Sequence, residues 1–156
     1  MPEKVFDKEI QRYLRHSHGE IDILEKQITF ITGTTGANGQ HDLFNVTGSV
    51  VTSIVGVCTS DLTSGGTPTI SVGTVNNVAG ILGLQNTEDI ITDIVWTEDG
   101  SGLNIDIGAY AGTGYFTRNG ITITYDILSG PVTGGIFTFY CLWFPISSSG
   151  GVTIAS

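Results

Sequence analysis

The sequence is short of charge. Asp, Glu, Lys and Arg make up 13% of its 156 residues, about half of what a soluble chain ordinarily carries. So little charge invites a membrane reading, but no apolar run approaches the roughly 20 residues that a spanning helix needs. The longest strong run, IFTFYCLWFPI (136–146), has the length of a buried strand. Cysteine is scarce too. Cys58 and Cys141 both sit in apolar runs, GVC and FYCLWF, and read as two small buried hydrophobes rather than a disulfide framework. Basic residues are nearly missing from most of the chain: from Gln27 to Ser156 there is only Arg118, against nine acids. Such a body repels phosphate, which excludes nucleic acid as its partner. Without lysine, it also has no internal Lys–Asn staple. Finally, the N-terminal run MPEKVFDKEIQRYLRH is full of charge and has no apolar centre, so no secretory signal is expected.

The charge that is present concentrates at one end. Residues 1–26 hold five of the six basic residues, with six acids. This break at Lys26–Gln27 divides the chain into an arm, 1–26, and a body, 27–156. The arm predicts a short α-helix. Pro2 suits a first helical turn. Phe6, Ile10, Tyr13 and Leu14 recur at spacings of three and four and share one face, while Lys8, Gln11, Arg12 and Arg15 cover the rest. Gly19 is a stop signal, and 20–25 is a connector or short strand. A lone helix of about 15 residues is marginal in water. Its apolar stripe must therefore cover the body, a second copy or a partner.

The body predicts strands and turns: QITFI (27–31), LFNVTGSVVTSIVGVCT (43–59) with Gly48 marking a bend, TISVGTV (69–75), VAGILGL (78–84), DIITDIVW (89–96), LNIDIGAY (103–110), ITITYDIL (121–128) and IFTFYCLWFPI (136–146), with one weak strand in the polar tail. Asn119-Gly120 is a tight-turn signal. Eight to ten short strands at regular intervals indicate an all-β fold, an antiparallel sandwich or barrel, with a jelly-roll-like β-sandwich as the expected form and the strand order left open. No βα alternation appears, which excludes a parallel α/β sheet.

Catalytic chemistry is hard to find. No G-x-S-x-G elbow is present. His41-Asp42 reads as part of a polar loop with no nucleophile to serve. The run GTTGANG lacks the G-K-[ST] ending of a phosphate loop and reads as a strand connection. Glu88-Asp89 and Glu98-Asp99 would suit a carboxylate pair or calcium, but no D-x-D-x-D-G spacing accompanies them, and solvated turn acids explain them. His16-Ser17-His18 is an H-x-H triplet. Three copies on a threefold axis would offer imidazoles to iron, nickel or zinc, yet histidines at a helix C-terminus account for the pair without a metal. No enzyme activity, metal or cofactor is expected. Trp96, Tyr110, Tyr115 and Phe116 are candidates for sugar stacking if exposed, and Trp143 within FYCLWF is a core residue.

The run ITFITGTTGANGQHDLFNVTGSVVTSIVGVCTSDLTSGG, then DIITDIVW and IFTFYCLWFPISSSGGV, resembles a group of small phage virion structural proteins of the capsid decoration (cement) or head-fibre type. The resemblance covers about residues 27–151 and is one of pattern rather than of a catalytic motif. It implies a protein that folds in the host cytoplasm and ends on the virion, on the outer capsid or a fibre. The partner would be the major capsid protein or another virion protein, with a homotrimer as the assembly. In that setting the Phe6, Ile10, Tyr13, Leu14 stripe would be the attachment device. A receptor- or carbohydrate-binding fibre module is the alternative.

Overall fold

The computed structural model describes residues 21–98, 103–104, 115–117 and 120–156. Its strands are β1 (Asp22–Thr29), β2 (Gly39–Thr47), β3 (Val50–Ser64), β4 (Thr69–Thr74), β5 (Asn77–Asn86), β6 (Val95–Trp96), β7 (Leu103–Asn104), β8 (Tyr115–Thr117), β9 (Thr122–Leu128), β10 (Val132–Pro145) and β11 (Gly151–Ile154). A single 3-10 turn, Thr87–Asp89, lies between β5 and β6. Every strand pairing is antiparallel. The first sheet runs β1-β10-β3-β6-β7, with β8 also on β3; the second runs β11-β2-β9-β4-β5.

The pairings are nested. β1 pairs with β10, β2 with β9, β3 with β6 and β8, and β4 with β5. The chain is thus one long hairpin whose two arms roll together, with β1 to β4 each meeting a later strand in reverse order. The result is two antiparallel sheets over one core, in keeping with the expected β-sandwich.

The rolling follows from a two-residue period. In β10, Phe137, Phe139, Cys141 and Trp143 are buried, while Ile136, Tyr140, Leu142 and Phe144 alternate with them. In β9, Ile123, Tyr125 and Ile127 face the other way, into the same interior. The rings of Tyr125 and Phe139 stack across the gap between the sheets, with centroids 6.0 Å apart. Gly48, at φ +58°, makes the turn that sends the chain from β2 in one sheet to β3 in the other. Gly56 is needed for close approach: a Cβ there would collide with the ring of Phe137.

Several expectations need correction. β1 begins at Asp22, so the stretch read as a connector or short strand, 20–25, is strand from Asp22 onward, and the sheet starts within the segment grouped with the arm. Leu24 and Ile28 point inward with Lys26 between them, and the Lys26 ammonium escapes the interior by donating to the carbonyls of Asp42 (2.8 Å) and Ala155 (2.9 Å). It thereby ties the edge of the first sheet to the edge of the second. Burial lowers the pKa of this lysine and neighbouring Asp42 acts in the opposite direction. His41-Asp42 is strand, not loop. Of DIITDIVW, only Val95–Trp96 is strand. Asp93 takes a left-handed φ of 72°, and the segment instead bonds the edge of β3 through loop atoms: Leu62 N–H to Ile90 O, Cys58 N–H to Ile94 O, Asp93 N–H to Cys58 O. The helical reading of the arm falls on residues 1–20, outside the described residues, as does most of the strand expected over 103–110.

Candidate functional site

The outer surfaces of the two sheets differ in kind. On the first sheet, the register places Ile23 beside Leu142, Tyr140 beside Val55, and Phe144 beside Val51, all on the outward side. Ile23 is 63% exposed and Phe144 40% exposed, with Ile21 and Ile146 also exposed at the same end. On the second sheet, the outward positions of β2 and β9 are polar: Gln40, Asp42, Asn45 and Thr47 against Thr122, Thr124 and Asp126. Asp126 is largely buried, which raises its carboxyl pKa, with His41 pulling it back. The first sheet thus gathers an apolar patch at the Ile23–Phe144 end, whereas on the second sheet exposed polar residues of β2 alternate with scattered exposed apolar ones, Leu84, Leu128 and Ile154.

A second feature is a break in the first sheet. β8 bonds β3 at Val50 to Thr52, and β6 bonds it at Gly56 and Val57. Ile54 lies between the two, and its N–H would have no strand partner. The Glu98 carboxylate fills the gap, accepting that N–H at 2.6 Å. Partial burial raises the Glu98 pKa, and the hydrogen bond from Ile54 opposes the rise. Glu98 in turn helps to raise the phenol of Tyr115 and the thiol of Cys141, although burial is the main cause in both; Cys141 is pushed up to about 12. Burial also lifts Cys58, to about 11. Both cysteines are free and buried, which suppresses thiolate chemistry.

A third feature is a cleft of about 270 Å³ beside the β4–β5 turn, lined by Gly73, Asn76, Asn77, Ile81, Tyr115 and Thr117 among others. Gly73 lets the turn fold back, because a Cβ there would strike the Asn77 carbonyl. Tyr115 is half-buried, and its hydroxyl reaches Ile81 O at 3.5 Å.

The residues singled out from sequence are scattered by this geometry. Trp96 is only 1% exposed and packs edge-on against Phe137, so it offers no stacking platform. Tyr115 lines the cleft. Tyr110 and the side chain of Phe116 lie outside the described residues, as do Phe6, Ile10, Tyr13, Leu14, His16 and His18. Trp143 is buried as expected. Glu88 and Asp89 sit in the 3-10 turn, while Glu98 caps β3 and Asp99 lies outside the described residues. His41 stacks on Tyr125 at 4.8 Å and donates from Nε2 to Ala37 O at 2.7 Å, a structural role. Among the described residues no cluster of His, Cys, Asp and Glu could hold a metal, and no helix is long and apolar enough to cross a membrane. Sequence reasoning missed Lys26 and the apolar outer face. Alternation in FYCLWF hinted at the face, since every second residue is large and apolar on both sides of the strand.

The chain is similar in structure to one in the acidic stable capsid structure of Helicobacter pylori bacteriophage KHP30, with a TM-score of 0.51 and 10% identity, over 87% of this chain and 93% of that one. At that identity the likeness is one of fold. No protein-family model matches the sequence, and none of the curated proteins matches it.

Proposed function

We propose that the protein is a structural component of a phage virion, and within that class a decoration (cement) protein that binds and stabilises the outer capsid shell as a homotrimer. The observation that carries this reading is the fold likeness to a chain of a phage capsid structure over nearly the whole length of both chains. The surface supports it. The apolar patch at one end of the first sheet gives the sandwich a place to seat on a shell. The apolar side carries Ile23, Leu142 and Phe144 and adjoins the point where residues 1–20 enter β1. We place shell attachment there, with the arm stripe of Phe6, Ile10, Tyr13 and Leu14 contributing. The protein performs no catalysis and needs no cofactor in this role. Its partner is the major capsid protein or a neighbouring virion protein.

The test is co-sedimentation of the purified chain with phage shells lacking it, alongside light scattering for an assembly of three 16.5 kDa chains. Binding that vanishes in an Ile23→Asp/Phe144→Asp variant of unchanged fold supports the reading. Binding that persists in that variant removes the proposed face. A second reading, a carbohydrate-binding fibre module, is favoured by one observation: Tyr115 lines an uncharged cleft that combines the polar Thr74, Asn76, Asn77 and Thr117 with Ile81 and Ile121. Glycan binding lost in Tyr115→Ala would select it.

A further inference from the structure

We propose that the outward side of the β2–β9 pair holds one calcium ion, ligated by the carboxylates of Asp42 and Asp126 with the Thr124 hydroxyl between them. The inference stands apart from shell binding.

The strand register assembles the site. Asp42 on β2 lies opposite Thr124 on β9, and Gln40 lies opposite Asp126. Ile123, Tyr125 and Ile127 point into the core, so Thr124 and Asp126 share the outward side with Gln40 and Asp42. Two carboxylates, a hydroxyl and an amide oxygen thus meet in one patch. Asp42 and Asp126 are diagonal neighbours, about 7 Å apart at Cβ. Carboxylates at that separation reach a common ion, since calcium takes its oxygens at about 2.4 Å.

Two of these groups are buried without a hydrogen bond. Thr124 is 4% exposed, and its hydroxyl has no partner. Asp126 is 5% exposed. Burial raises its pKa; the one opposing influence is the charge of His41, and no hydrogen bond contributes. The burial has a visible cause. The start of β5 folds over the outward side of β4. Ser71, opposite Asp126, donates to Val78 O at 2.8 Å, and the Asn77 carbonyl occupies the space over Gly73, opposite Thr124. The patch is therefore a walled recess. A buried carboxylate without donor or countercharge is costly, as is an orphaned hydroxyl beside it. One cation removes both costs. Lys26 does not supply it, because its ammonium donates to the backbone carbonyls of Asp42 and Ala155.

The oxygen set selects the ion. Among the described residues no three of His, Cys, Asp and Glu converge, which argues against a transition metal. Calcium accepts carboxylate, hydroxyl and amide oxygens together and completes its shell with water. Two carboxylates match its charge. So few protein ligands imply a dissociation constant of roughly 10⁻⁴–10⁻³ M.

The experiment uses the full chain stripped with EDTA. Calorimetric titration with CaCl2 is expected to show one ion per chain. About 10 mM CaCl2 is expected to raise Tm by about 3 °C, with MgCl2 or ionic-strength-matched NaCl giving a clearly smaller rise. Asp126→Asn should abolish the shift and Thr124→Val should weaken binding several-fold. Glu88→Gln, at an exposed acid of the 3-10 turn, should leave both unchanged. Asp42→Asn repeats the test at an exposed residue where folding is not at stake. No calcium-dependent shift, an equal shift in MgCl2 or NaCl, or a shift that survives both Asp126→Asn and Asp42→Asn overturns the proposal.

Discussion

The central strands β10 and β9 of the two sheets share one interior and differ in what they carry outward. β10 buries Phe137, Phe139, Cys141 and Trp143 and still carries Tyr140, Leu142 and Phe144 on its other side. β9 buries Ile123, Tyr125 and Ile127 and carries Thr122, Thr124 and Asp126 outward. The first strand carries large apolar groups on both sides, whereas the outward side of the second is polar, with Thr124 and Asp126 themselves buried. Folding needs only the inner set. The outer set of the first sheet is surplus to folding of the described residues, and that surplus is the physical argument for docking.

Four experiments break or sharpen this comparison. The largest effect belongs to the shared interior. Phe137→Ala removes a fully buried ring that contacts Trp96 and Phe139 and should cost about 3–5 kcal/mol in urea unfolding, whichever exterior is intact. Next come matched charges on the two exteriors. Ile23→Asp/Phe144→Asp should weaken shell binding at least tenfold, about 1.4 kcal/mol, whereas Asn45→Asp and Thr122→Asp should leave both binding and stability within about 0.5 kcal/mol. Equal losses from both pairs would erase the distinction between faces. Third, Lys26→Ala takes away the donor shared by Asp42 O and Ala155 O. Thermal or urea unfolding should show a loss of about 1 kcal/mol, and none if the two edges hold without it.

The smallest effect is a pH dependence. Glu98 is held above the ordinary glutamate value of 4.5 by burial. A carboxyl whose folded pKa is raised contributes stability that is fully present below its unfolded pKa and is lost as pH rises through the folded one. The native chain should therefore gain Tm relative to Glu98→Gln as pH falls from neutrality to 4.5. A gap that stays constant across this range would mean that Glu98 is not the buried plug of the β3 edge. Asp126, also raised by burial, has the same sign; Asp61, lowered by the Thr92 N–H and hydroxyl, has the opposite one.

Much of the architecture was readable because alternation is a local property. ITITYDIL and IFTFYCLWFPI declare strands without reference to anything distant, and Gly48 and Gly120 do take the positive φ that turns require. The misreadings share a cause. DIITDIVW has strand composition, but its partner, the edge of β3, takes it as a bonded loop because Ile90 and Ile94 both dive into the core. Residues 22–26 have surface composition, open between connector and short strand; pairing with Tyr140, Cys141 and their neighbours makes them strand. Trp96 looked like a ligand platform until packing placed it against Phe137.

The sequence by itself determined the class. Low charge, frequent turns and two-residue periodicity point to an antiparallel sandwich or barrel, because those properties are set by each residue and its immediate neighbours. The tertiary structure alone decided which face of each strand is inside, that Lys26 fastens one edge, that Glu98 closes a gap beside Ile54, and that an apolar surface remains on the β1–β10–β3 sheet. Each of these depends on pairings between residues far apart in the chain, and such pairings are a property of the register, which no local window contains.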